Sequence, residues 1–348
     1  GSWLEFEISK TDVIMARIDR RRRVPATAFL RPIGISTDQE IMDMFAEVDT
    51  DEKHHYISQT LEKDSTSNSD EAVLEIYKRM RPGEPIVLDT AKTFFNNLFF
   101  APRRYDLSNV GRYKTNKKLG LDIPNTKENW ILKNEDVIGA LKYLIGLQNG
   151  QGRADDIDHL ANRRVRRVGE LILNYAFRVG LLRLERSVKE KMSLTSTDDL
   201  VNPSFFVNAR PVIASMNEFY RSNQLSSILD QTNLLSEIDN LRRLTVTGPG
   251  GISRERASFS IRDINSSQYG RIDPIRSPEG PNIGLVTYMS LFARVNEYGF
   301  METPYRKVVN EKSGSKILPK VTSEIVYLAA DDEENYSITH TGVQLTPE

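Results

Sequence analysis

The 348-residue sequence contains no cysteine, which excludes a disulfide framework and any thiolate metal site. Long apolar runs are missing as well, because no segment approaches the roughly 20 residues that a membrane-spanning helix needs. No signal peptide precedes the first strand-like segment, and the opening Gly1-Ser2 is typical of a cloning remnant, so we expect the natural protein to begin earlier. These absences predict a cytoplasmic protein with no membrane partner.

An excess of charge of one sign is also missing, since 47 Lys and Arg residues face 48 Asp and Glu residues. The overall balance therefore does not indicate a polyanionic partner, although such a balance can hide local clusters. The length is sufficient for two or three domains, because domains usually contain roughly 100–200 residues each.

Alternating apolar residues at the start of the chain predict paired strands. Leu4, Phe6 and Ile8 alternate with glutamates, and residues 14–18 alternate in the same way. The first alternation places Trp3 on the polar face of its strand.

Helical spacing dominates from residue 39 onward. Apolar residues recur every three or four positions, which predicts helices near residues 39–48, 69–80, 136–148 and 164–192. In the last of these, Gly169 and Gly180 are candidate kinks, and Val168 and Leu182 are predicted core positions. The polar run between residues 50 and 70 predicts a mobile surface loop.

After Asn202-Pro203 the composition changes, because glycine and proline become frequent and the periodicity fades. This change predicts extended loops held by a larger body. The whole pattern predicts a multi-domain α+β fold, with a helix-rich lobe and short antiparallel strands followed by a loop-rich mixed region.

Arginine is concentrated in four dense groups, each beside a turn or at the end of an element. The groups are Arg20–Arg23, Arg163-Arg164 with Arg166-Arg167, Arg242-Arg243, and Arg254 with Arg256. A guanidinium presents a planar fork of donors that matches phosphate. Any one group alone is more typical of a solvated charged face. Four groups interleaved with Trp3, Tyr113 and a glycine-rich loop favour a nucleic-acid channel.

The glycine-rich loop, Gly248-Pro249-Gly250-Gly251, closely precedes Arg254 and Arg256. Its glycines allow the backbone to approach another chain, while the two arginines project from its far end. The loop lacks the spacing of a phosphate-binding P-loop, and the sequence contains no dinucleotide-binding glycine motif after a strand.

The chain offers few candidates for catalytic or metal-binding residues. Adjacent His54 and His55 are more typical of a solvated loop than of a metal site, and local charge pairing is the expected role of His159. No catalytic triad or catalytic pair of carboxylates is predicted. We therefore expect no metal site and no catalytic residue in this chain.

Ordered motifs along the chain carry a family resemblance. They are Ile18–Arg22, Arg81–Pro85, Tyr105–Ser108, Asp155–Leu160, Asn162–Arg164, Gln224–Ser226, Leu229–Asn233, Leu235–Ile238, Arg242–Leu244, Gly248–Arg256, Tyr269–Arg271, Ser277–Leu285, Asn296–Phe300 and Glu302–Tyr305. In order and spacing they resemble the β subunit of bacterial-type DNA-directed RNA polymerase over nearly the whole chain. The resemblance implies an internal piece of a nucleotidyltransferase subunit that takes part in transcription.

The resemblance implies four regions. Residues 3–157 look like the β lobe beside downstream DNA, and residues 158–220 look like the second part of the protrusion. Residues 221–284 look like the rifamycin-pocket and fork-loop region beside the RNA–DNA hybrid, and residues 285–348 look like the start of the next β segment.

The resemblance also implies that catalysis depends on other parts of the enzyme. The catalytic magnesium of the family is bound by aspartates of the β′ subunit, and the nucleotide-facing lysines of β lie C-terminal to this piece. We therefore expect no cofactor in this chain, which alone would be inactive. The implied partners are the β′, α and sigma subunits, double-stranded and single-stranded DNA, and nascent RNA, and the implied location is the nucleoid.

Nucleic-acid contacts follow from the resemblance residue by residue. The surface that receives an unpaired non-template base corresponds to Trp3, Ile157, Asp158, Arg163, Ile252 and Ile261. Fork loop two, which helps to separate the downstream strands, contains Arg254 and Arg256. The hybrid is lined by Arg243, Pro278, Glu279 and Asn282. The predicted nucleic-acid-binding set is completed by Arg20, Arg164 and Arg166.

A rifamycin pocket is also implied, with departures from the usual pattern. Its residues are Gln224, Leu225, Ser227, Ile228, Asp230, Asn240, Arg243, Thr245, Pro278, Asn282 and Val286. Drug-sensitive members of the family typically have glutamine, phenylalanine, histidine and serine at the positions of Ser227, Ile228, Asn240 and Thr245. These departures imply a rifamycin ligand that binds with reduced affinity.

Two other classes of protein fit parts of the pattern. A non-enzymatic DNA- or RNA-binding adaptor would also have arginine clusters, and a helical protein–protein scaffold would use arginines for solubility. The segments Gly248–Arg256 and Pro278–Leu285 favour the polymerase, because their density of special backbone positions suits loops docked at an active centre.

We predict that the parent polymerase has low intrinsic sensitivity to rifampicin, and that Ser227→Gln combined with Asn240→His partly restores sensitivity. Ser227 is too short to reach where a glutamine amide would, and Asn240 has a different donor geometry from imidazole. Each lost hydrogen bond costs roughly 1–3 kcal/mol, so the two losses together lower affinity by about a hundredfold or more.

Transcription assayed across a series of rifampicin concentrations measures this sensitivity. Inhibition of the unmodified enzyme at the doses that stop ordinary sensitive polymerases would contradict the prediction. That outcome would indicate that water bridges fill both gaps.

Overall fold

A computed structural model describes residues 2–20, 22–51, 53–195, 202–313 and 316–345. Gly1 and Arg21, both named in the predictions above, lie outside the described residues. The chain forms two compact units, Gly1–Ala154 and Asp155–Glu348. Each unit combines helices with antiparallel strands, which confirms the α+β class. The four finer regions inferred from the family resemblance stay predictions.

A three-stranded antiparallel sheet opens the first unit in the order β1-β2-β3, with β1 (Leu4–Ile8), β2 (Ile14–Ile18) and β3 (Arg23–Pro25). Leu4 pairs with Ile18, and Ile8 pairs with Ile14. The period of two in β2 buries every second side chain, as the sequence predicted. Both predicted strands are confirmed.

Helices build the rest of the first unit: α1 (Ala26–Leu30), α2 (Asp38–Phe45), α3 (Tyr56–Lys63), α4 (Ser69–Met80), α5 (Leu88–Phe99), α6 (Ser108–Leu119) and α7 (Asn134–Gln148). α2 begins with a capping box, because Thr37 and Glu40 satisfy each other's free backbone N–H groups. Aromatic rings fill the core, and Phe29 has edge contacts with Phe95 and Phe99 at centroid distances of 5.4 and 5.7 Å. This extensive apolar core also includes buried strand residues, such as Ile14, Ile18 and Val24.

The prediction of a mobile loop between residues 50 and 70 is wrong. Residues 56–63 form α3, and the Asp64 side chain that follows is buried. Its carboxylate accepts hydrogen bonds from the Thr27 hydroxyl (2.7 Å) and from Nε of the buried Arg31 (3.4 Å). A polar composition resembles that of a loop, but pairing with a distant guanidinium orders this segment.

A long helix dominates the helical part of the second unit. It consists of α8 (Val168–Ile172), a π-helical turn (Leu173–Phe177) and α9 (Arg178–Leu194). Gly180 is a contact point, because a Cβ at this position would lie 2.9 Å from the Cα of Val212 in the neighbouring helix. The predicted core positions Val168 and Leu182 are wrong, since they are 64% and 65% exposed. The helix buries a different face, around Ala176 and Gly180.

The remaining helices of the second unit are α10 (Pro203–Phe206), α11 (Arg210–Ser222), α12 (Leu234–Leu241), α13 (Phe259–Arg262) and α14 (Ala330–Glu333). β4 (Arg243–Thr245) pairs with β5 (Val286–Tyr288) as a short antiparallel ribbon. A second sheet has the order β6-β7-β8, with β6 (Arg294–Val295), β7 (Met301–Ser313) and β8 (Lys316–Ala329). A small buried cluster, which includes Leu160, Ile272 and Met301, forms the core near this sheet.

An ion pair between Arg112 and Asp136 is fully buried in the first unit. The two guanidinium nitrogens donate to the two carboxylate oxygens at 2.6 and 2.9 Å. The remaining donors of Arg112 reach the carbonyls of Asn129 (2.8 Å) and Ile131 (2.6 Å). Each charge therefore depends on its partner, because both side chains are buried.

We expect Arg112→Met to lower the free energy of unfolding of the first unit by about 3–5 kcal/mol, because Asp136 would become an uncompensated buried charge. Chemical denaturation of the whole chain measures the loss. Adding Asp136→Leu should recover most of it, since an apolar replacement of a buried pair is often nearly neutral. The exposed Arg103→Met is the matched control, with an expected effect within about 0.5 kcal/mol. A double variant as unstable as the single one would contradict this account.

Candidate nucleic-acid interface

The β4–β5 ribbon gives the two arginines of one cluster different roles. Arg242 turns toward the protein, donating to the carbonyls of Met289 (3.3 Å) and Leu291 (3.1 Å). Arg243, next along the chain, is exposed on β4 opposite Tyr288. The ribbon thus presents one guanidinium to solvent and uses the other to hold its own backbone.

The glycine-rich loop is closely packed against its surroundings. Gly248 has a φ of +115°, and a Cβ there would lie 2.6 Å from a methyl carbon of Leu225. The N–H of Gly251 donates to the carbonyl of Gly248 (2.9 Å), and the N–H of Ile252 donates to that of Val246 (3.1 Å). The loop is therefore a defined turn, as its sequence predicted, and not a flexible linker.

A 3₁₀ turn, Arg254–Arg256, follows the glycine-rich loop. Both arginines are exposed, and within the described part of the chain neither guanidinium is paired with a carboxylate. Ile252, which precedes them, is half-buried, as is Ile261 on α13. Two guanidinium groups are thus presented to solvent from a fixed backbone, which suits contact with phosphate.

The cluster at residues 163–167 is partly engaged within the protein. Arg164 donates to both carboxylate oxygens of Glu170, at 2.7 and 2.6 Å. These hydrogen bonds hold the pKa of Glu170 below its usual value. Arg167 donates to the carbonyl of Asn296 (3.3 Å), and Nη1 of Arg166 lies 3.5 Å from the hydroxyl of Tyr175. Arg164 would have to leave Glu170 before it could bind a phosphate.

Asp158 lies in a turn that its neighbours fix. One carboxylate oxygen of Asp156 accepts from the N–H of Asp158 (2.9 Å), and the other accepts from the Asn265 amide (2.7 Å). These hydrogen bonds lower the pKa of Asp156 below its usual value, and the bond from the Asp158 backbone contributes most. No described residue donates to the carboxylate of Asp158 itself. The turn thus leaves an acceptor unused beside Ile157, which is 83% exposed.

His159 follows directly, and its Nε2 lies 3.1 Å from a carboxylate oxygen of Glu334. The partner is far along the chain, so this contact is not the local charge pairing that the sequence predicted. Among the residues that the structure describes, no group of three or more histidines, aspartates and glutamates is arranged to hold a metal ion. Over the same residues, no helix has both the length and the apolar character to cross a membrane.

Trp3 and Arg20 belong to the first unit, whereas the other predicted nucleic-acid contacts belong to the second. The Trp3 ring is 62% exposed, and its Nε1 donates to Glu5 (2.7 Å) on the polar face of β1, where the sequence placed it. Arg20 has a φ of +57° in the turn between β2 and β3. The base-receiving surface that combines Trp3 with Asp158 stays a prediction.

The segment Ser277–Leu285 is docked on α13. Arg262 donates to the carbonyls of Pro281 (2.9 Å) and Ile283 (3.0 Å). Gly284 has a φ of +69°, and a Cβ there would lie 2.5 Å from the Cα of Arg262. Pro278 and Asn282 are half-buried in this segment, and Glu279 is exposed. This docking on α13 fixes the backbone that carries these three side chains, and docking at an active centre stays a prediction.

The predicted rifamycin-pocket residues occupy four places in the second unit. Thr245 on β4 is directly opposite Val286 on β5. Asn240 is half-buried on α12, and Pro278 and Asn282 lie on the docked loop. The irregular segment after α11 carries Gln224, Leu225, Ser227, Ile228 and Asp230. Thr245 and Val286 are therefore direct neighbours across the ribbon. The drug pocket as a whole stays a prediction.

The irregular segment is ordered at two points. Leu225 packs on Gly248, and Asp230 accepts from both the backbone and the hydroxyl of Thr232 (3.1 and 2.7 Å). Both hydrogen bonds lower the pKa of Asp230 below its usual value, and the bond from the Thr232 hydroxyl contributes most. Ile228 is 96% exposed, so its side chain is available to a ligand or partner.

Arg276 is a residue of the site that sequence reasoning missed. Its guanidinium forms a bidentate ion pair with Asp239 on α12 and lies 3.7 Å from the ring centroid of Tyr288 on β5. It therefore ties α12 to the ribbon that carries Arg243. Arg276 stands alone in the sequence, and no local pattern indicates that its partners are Asp239 and Tyr288.

α12 presents an apolar face to solvent. Leu234, Leu235, Ile238 and Leu241 are all exposed, and no described residue covers them. Contiguous exposed apolar surface marks sites of interaction with other proteins or ligands. The helix beside the predicted nucleic-acid contacts is therefore a candidate protein-docking surface.

Two family models match the chain. The model for RNA polymerase Rpb2, domain 2, matches residues 1–166. The model for RNA polymerase Rpb2, domain 3, matches residues 227–295. The chain is also 48% identical over 345 residues to the DNA-directed RNA polymerase subunit beta of Syntrophomonas wolfei. It is 43% identical over 389 residues to the protein of the same name from Dehalococcoides mccartyi. Both alignments cover 99% of this chain, which spans about 30% of the length of each relative.

Proposed function

The chain belongs to the family of the β subunit of DNA-directed RNA polymerase, and on that premise we propose that it contacts downstream DNA, the non-template strand and the RNA–DNA hybrid during transcription. The observation that carries this proposal is the presentation of Arg243, Arg254 and Arg256 to solvent from rigid backbone. Phosphate contacts of this kind position a nucleic acid without reading its sequence. A polymerase needs such contacts, because it must slide along any template.

The geometry supports different roles for the two loops. Arg254 and Arg256 follow a closely packed glycine turn, which suits a wedge that meets the downstream duplex. Arg243 on β4, together with Asn282 and Glu279 on the docked loop, suits contact with the hybrid backbone. Functional loops on a rigid scaffold keep such groups in place while the nucleic acid moves.

We further propose that Asp158 and Arg163 receive an unpaired base, and that Trp3 offers a face on which a base of single-stranded DNA stacks. A carboxylate accepts from the amine or imine of guanine, and a guanidinium donates to its acceptors. The free carboxylate of Asp158 and the exposed Ile157 support this role. Stacking on an indole ring is typical of single-strand contacts and tolerates any base.

The activity belongs to the complete enzyme, a nucleotidyltransferase that we propose to assemble from this subunit with the β′, α and sigma subunits. Magnesium would be bound by β′. The exposed apolar face of α12 supports docking to another part of that assembly. Double-stranded and single-stranded DNA and nascent RNA are the proposed nucleic-acid partners, and the bacterial cytoplasm, at the nucleoid, is the proposed location. A rifamycin would bind weakly near β4 and β5.

We predict that the isolated chain is catalytically silent. Its described residues include no acidic cluster that could hold magnesium, and nucleotidyl transfer in this family requires that ion. Primer extension by the purified chain with magnesium and all four nucleotides should be blank. Incorporation that survives removal of contaminating polymerase would contradict this placement of the active centre.

In the assembled polymerase, Asp158→Ala should weaken the preference for one non-template base by about 1–3 kcal/mol, the usual worth of a good base contact. Affinity for open promoter DNA with each of the four bases at the relevant position measures the effect. Asp263→Ala, an exposed aspartate of the same unit, is the control and should change none of the four. An equal loss for all four bases would mean that Asp158 has no base-reading role.

A further inference from the structure

The π-helical turn Leu173–Phe177 interrupts the long helix of the second unit. Such turns accommodate an extra residue, and they occur frequently at functional sites. Here the turn is braced by α11, because the hydroxyl of Ser215 donates to the carbonyl of Ala176 (2.7 Å) and both residues are buried. The close approach of α11 at Gly180 completes this brace. The turn is thus a fixed part of the fold.

Tyr175, in the middle of this turn, reaches the glycine-rich loop. Gly250 has a φ of +74°, and a Cβ there would lie 2.5 Å from the hydroxyl oxygen of Tyr175 and would collide with Nη1 of Arg166. The guanidinium and the hydroxyl lie 3.5 Å apart. Glycine is favoured at this position because its positive φ would strain any other residue, and a side chain would also have to displace the Arg166 and Tyr175 groups that lie beside it.

The other contacts of the glycine-rich loop are made at its two ends, away from Tyr175 and Arg166. Leu225 packs against Gly248, and the backbone around Val246 accepts the N–H of Ile252 (3.1 Å). Those contacts hold the two ends of the loop. Tyr175 and Arg166 meet its middle at Gly250, one of the two loop residues with a positive φ.

We propose that Tyr175 and Arg166 are positioning residues that fix the conformation of the glycine-rich loop and so aim Arg254 and Arg256 at the downstream duplex. The inference rests on the proposed function, because it assigns the loop its task in strand separation. Arg166 then acts through Tyr175 and Gly250, and not through a phosphate of its own. The π turn has a specific role in this arrangement, since it holds the side chain of Tyr175 beside Gly250.

The test uses polymerase assembled with a full-length β subunit, and it follows opening of the downstream duplex by the fluorescence of 2-aminopurine placed in the first downstream base pair. Arg254→Gln combined with Arg256→Gln examines the proposed function alone and should abolish most of the fluorescence gain. A normal gain in that variant would refute the role of the loop in strand separation, whatever Tyr175 does.

Tyr175→Phe examines the positioning role, because it removes the hydroxyl and keeps the ring. We expect a fall in duplex opening of about two- to tenfold, the range of one hydrogen bond between neighbours. Tyr220→Phe, which removes the same atom from an exposed tyrosine on α11, is the matched control and should change nothing. A normal gain in Tyr175→Phe, with a loss in the double glutamine variant, would overturn the positioning role and leave the proposed function intact.

A double-mutant cycle separates positioning by Arg166 from direct phosphate binding. Arg166→Met should reduce opening to a similar extent, and Arg166→Lys, which keeps a donor, should recover at least part of it. Combined with Tyr175→Phe, Arg166→Met should add little, because both changes break one contact. Fully additive effects would mean that Arg166 acts independently of Tyr175, and would overturn the proposal. Gel filtration of each assembled enzyme verifies that the variants fold.

Discussion

A buried guanidinium must place its N–H groups on acceptors, and Arg271 meets this requirement where the segments of the second unit converge. It donates to the carbonyls of Ser267 (3.2 Å), Met301 (3.1 Å) and Leu328 (2.8 Å), and it is paired with Glu333. These acceptors belong to a turn, to β7, to the end of β8 and to α14. Because the apolar core nearby is small, this one side chain contributes much to the attachment of the β7–β8 hairpin, together with the pairing of β6 with β7 and the bond from Thr303 to Gly270.

Arginine therefore has two separate functions in this protein. Arg31, Arg112 and Arg271 are among its largest fully buried side chains, and each has a carboxylate partner. These three lie outside the four dense groups noted in the sequence, whereas Arg243 and Arg254 come from those groups and are exposed. A dense group cannot be buried readily, since each added charge would need its own acceptors. An isolated arginine can be buried if the fold supplies a carboxylate partner.

Local sequence patterns were sufficient to predict part of the secondary structure, but they could not predict contacts between residues far apart in the sequence. The first two strands and the helices near residues 39–48, 69–80 and 136–148 were predictable because a period of two or of 3.6 residues reflects one buried face. The prediction of extended loops after residue 203 is wrong for α11 and for the β7–β8 hairpin, where the periodicity is weak in the sequence. The order of the segment around Asp64 was not predictable, since its partners, Thr27 and Arg31, are far away in sequence. For the site, composition and family resemblance indicated Arg254 and Asp158. Neither could indicate Tyr175, because its contact with Gly250 exists only after the long helix has packed.

The division between buried and exposed arginines has a consequence for the effect of ionic strength. Salt screens exposed charges and weakens phosphate contacts steeply, because nucleic-acid binding is coupled to the release of counterions. The pair Arg112–Asp136 and the bonds of Arg271 are shielded from the solvent and are screened much less. If the exposed arginines bind nucleic acid as proposed, rising salt should therefore release it well before it disturbs the fold that presents them. The fold and the proposed ligand contacts use the same chemical group, yet they should respond to different ranges of salt concentration.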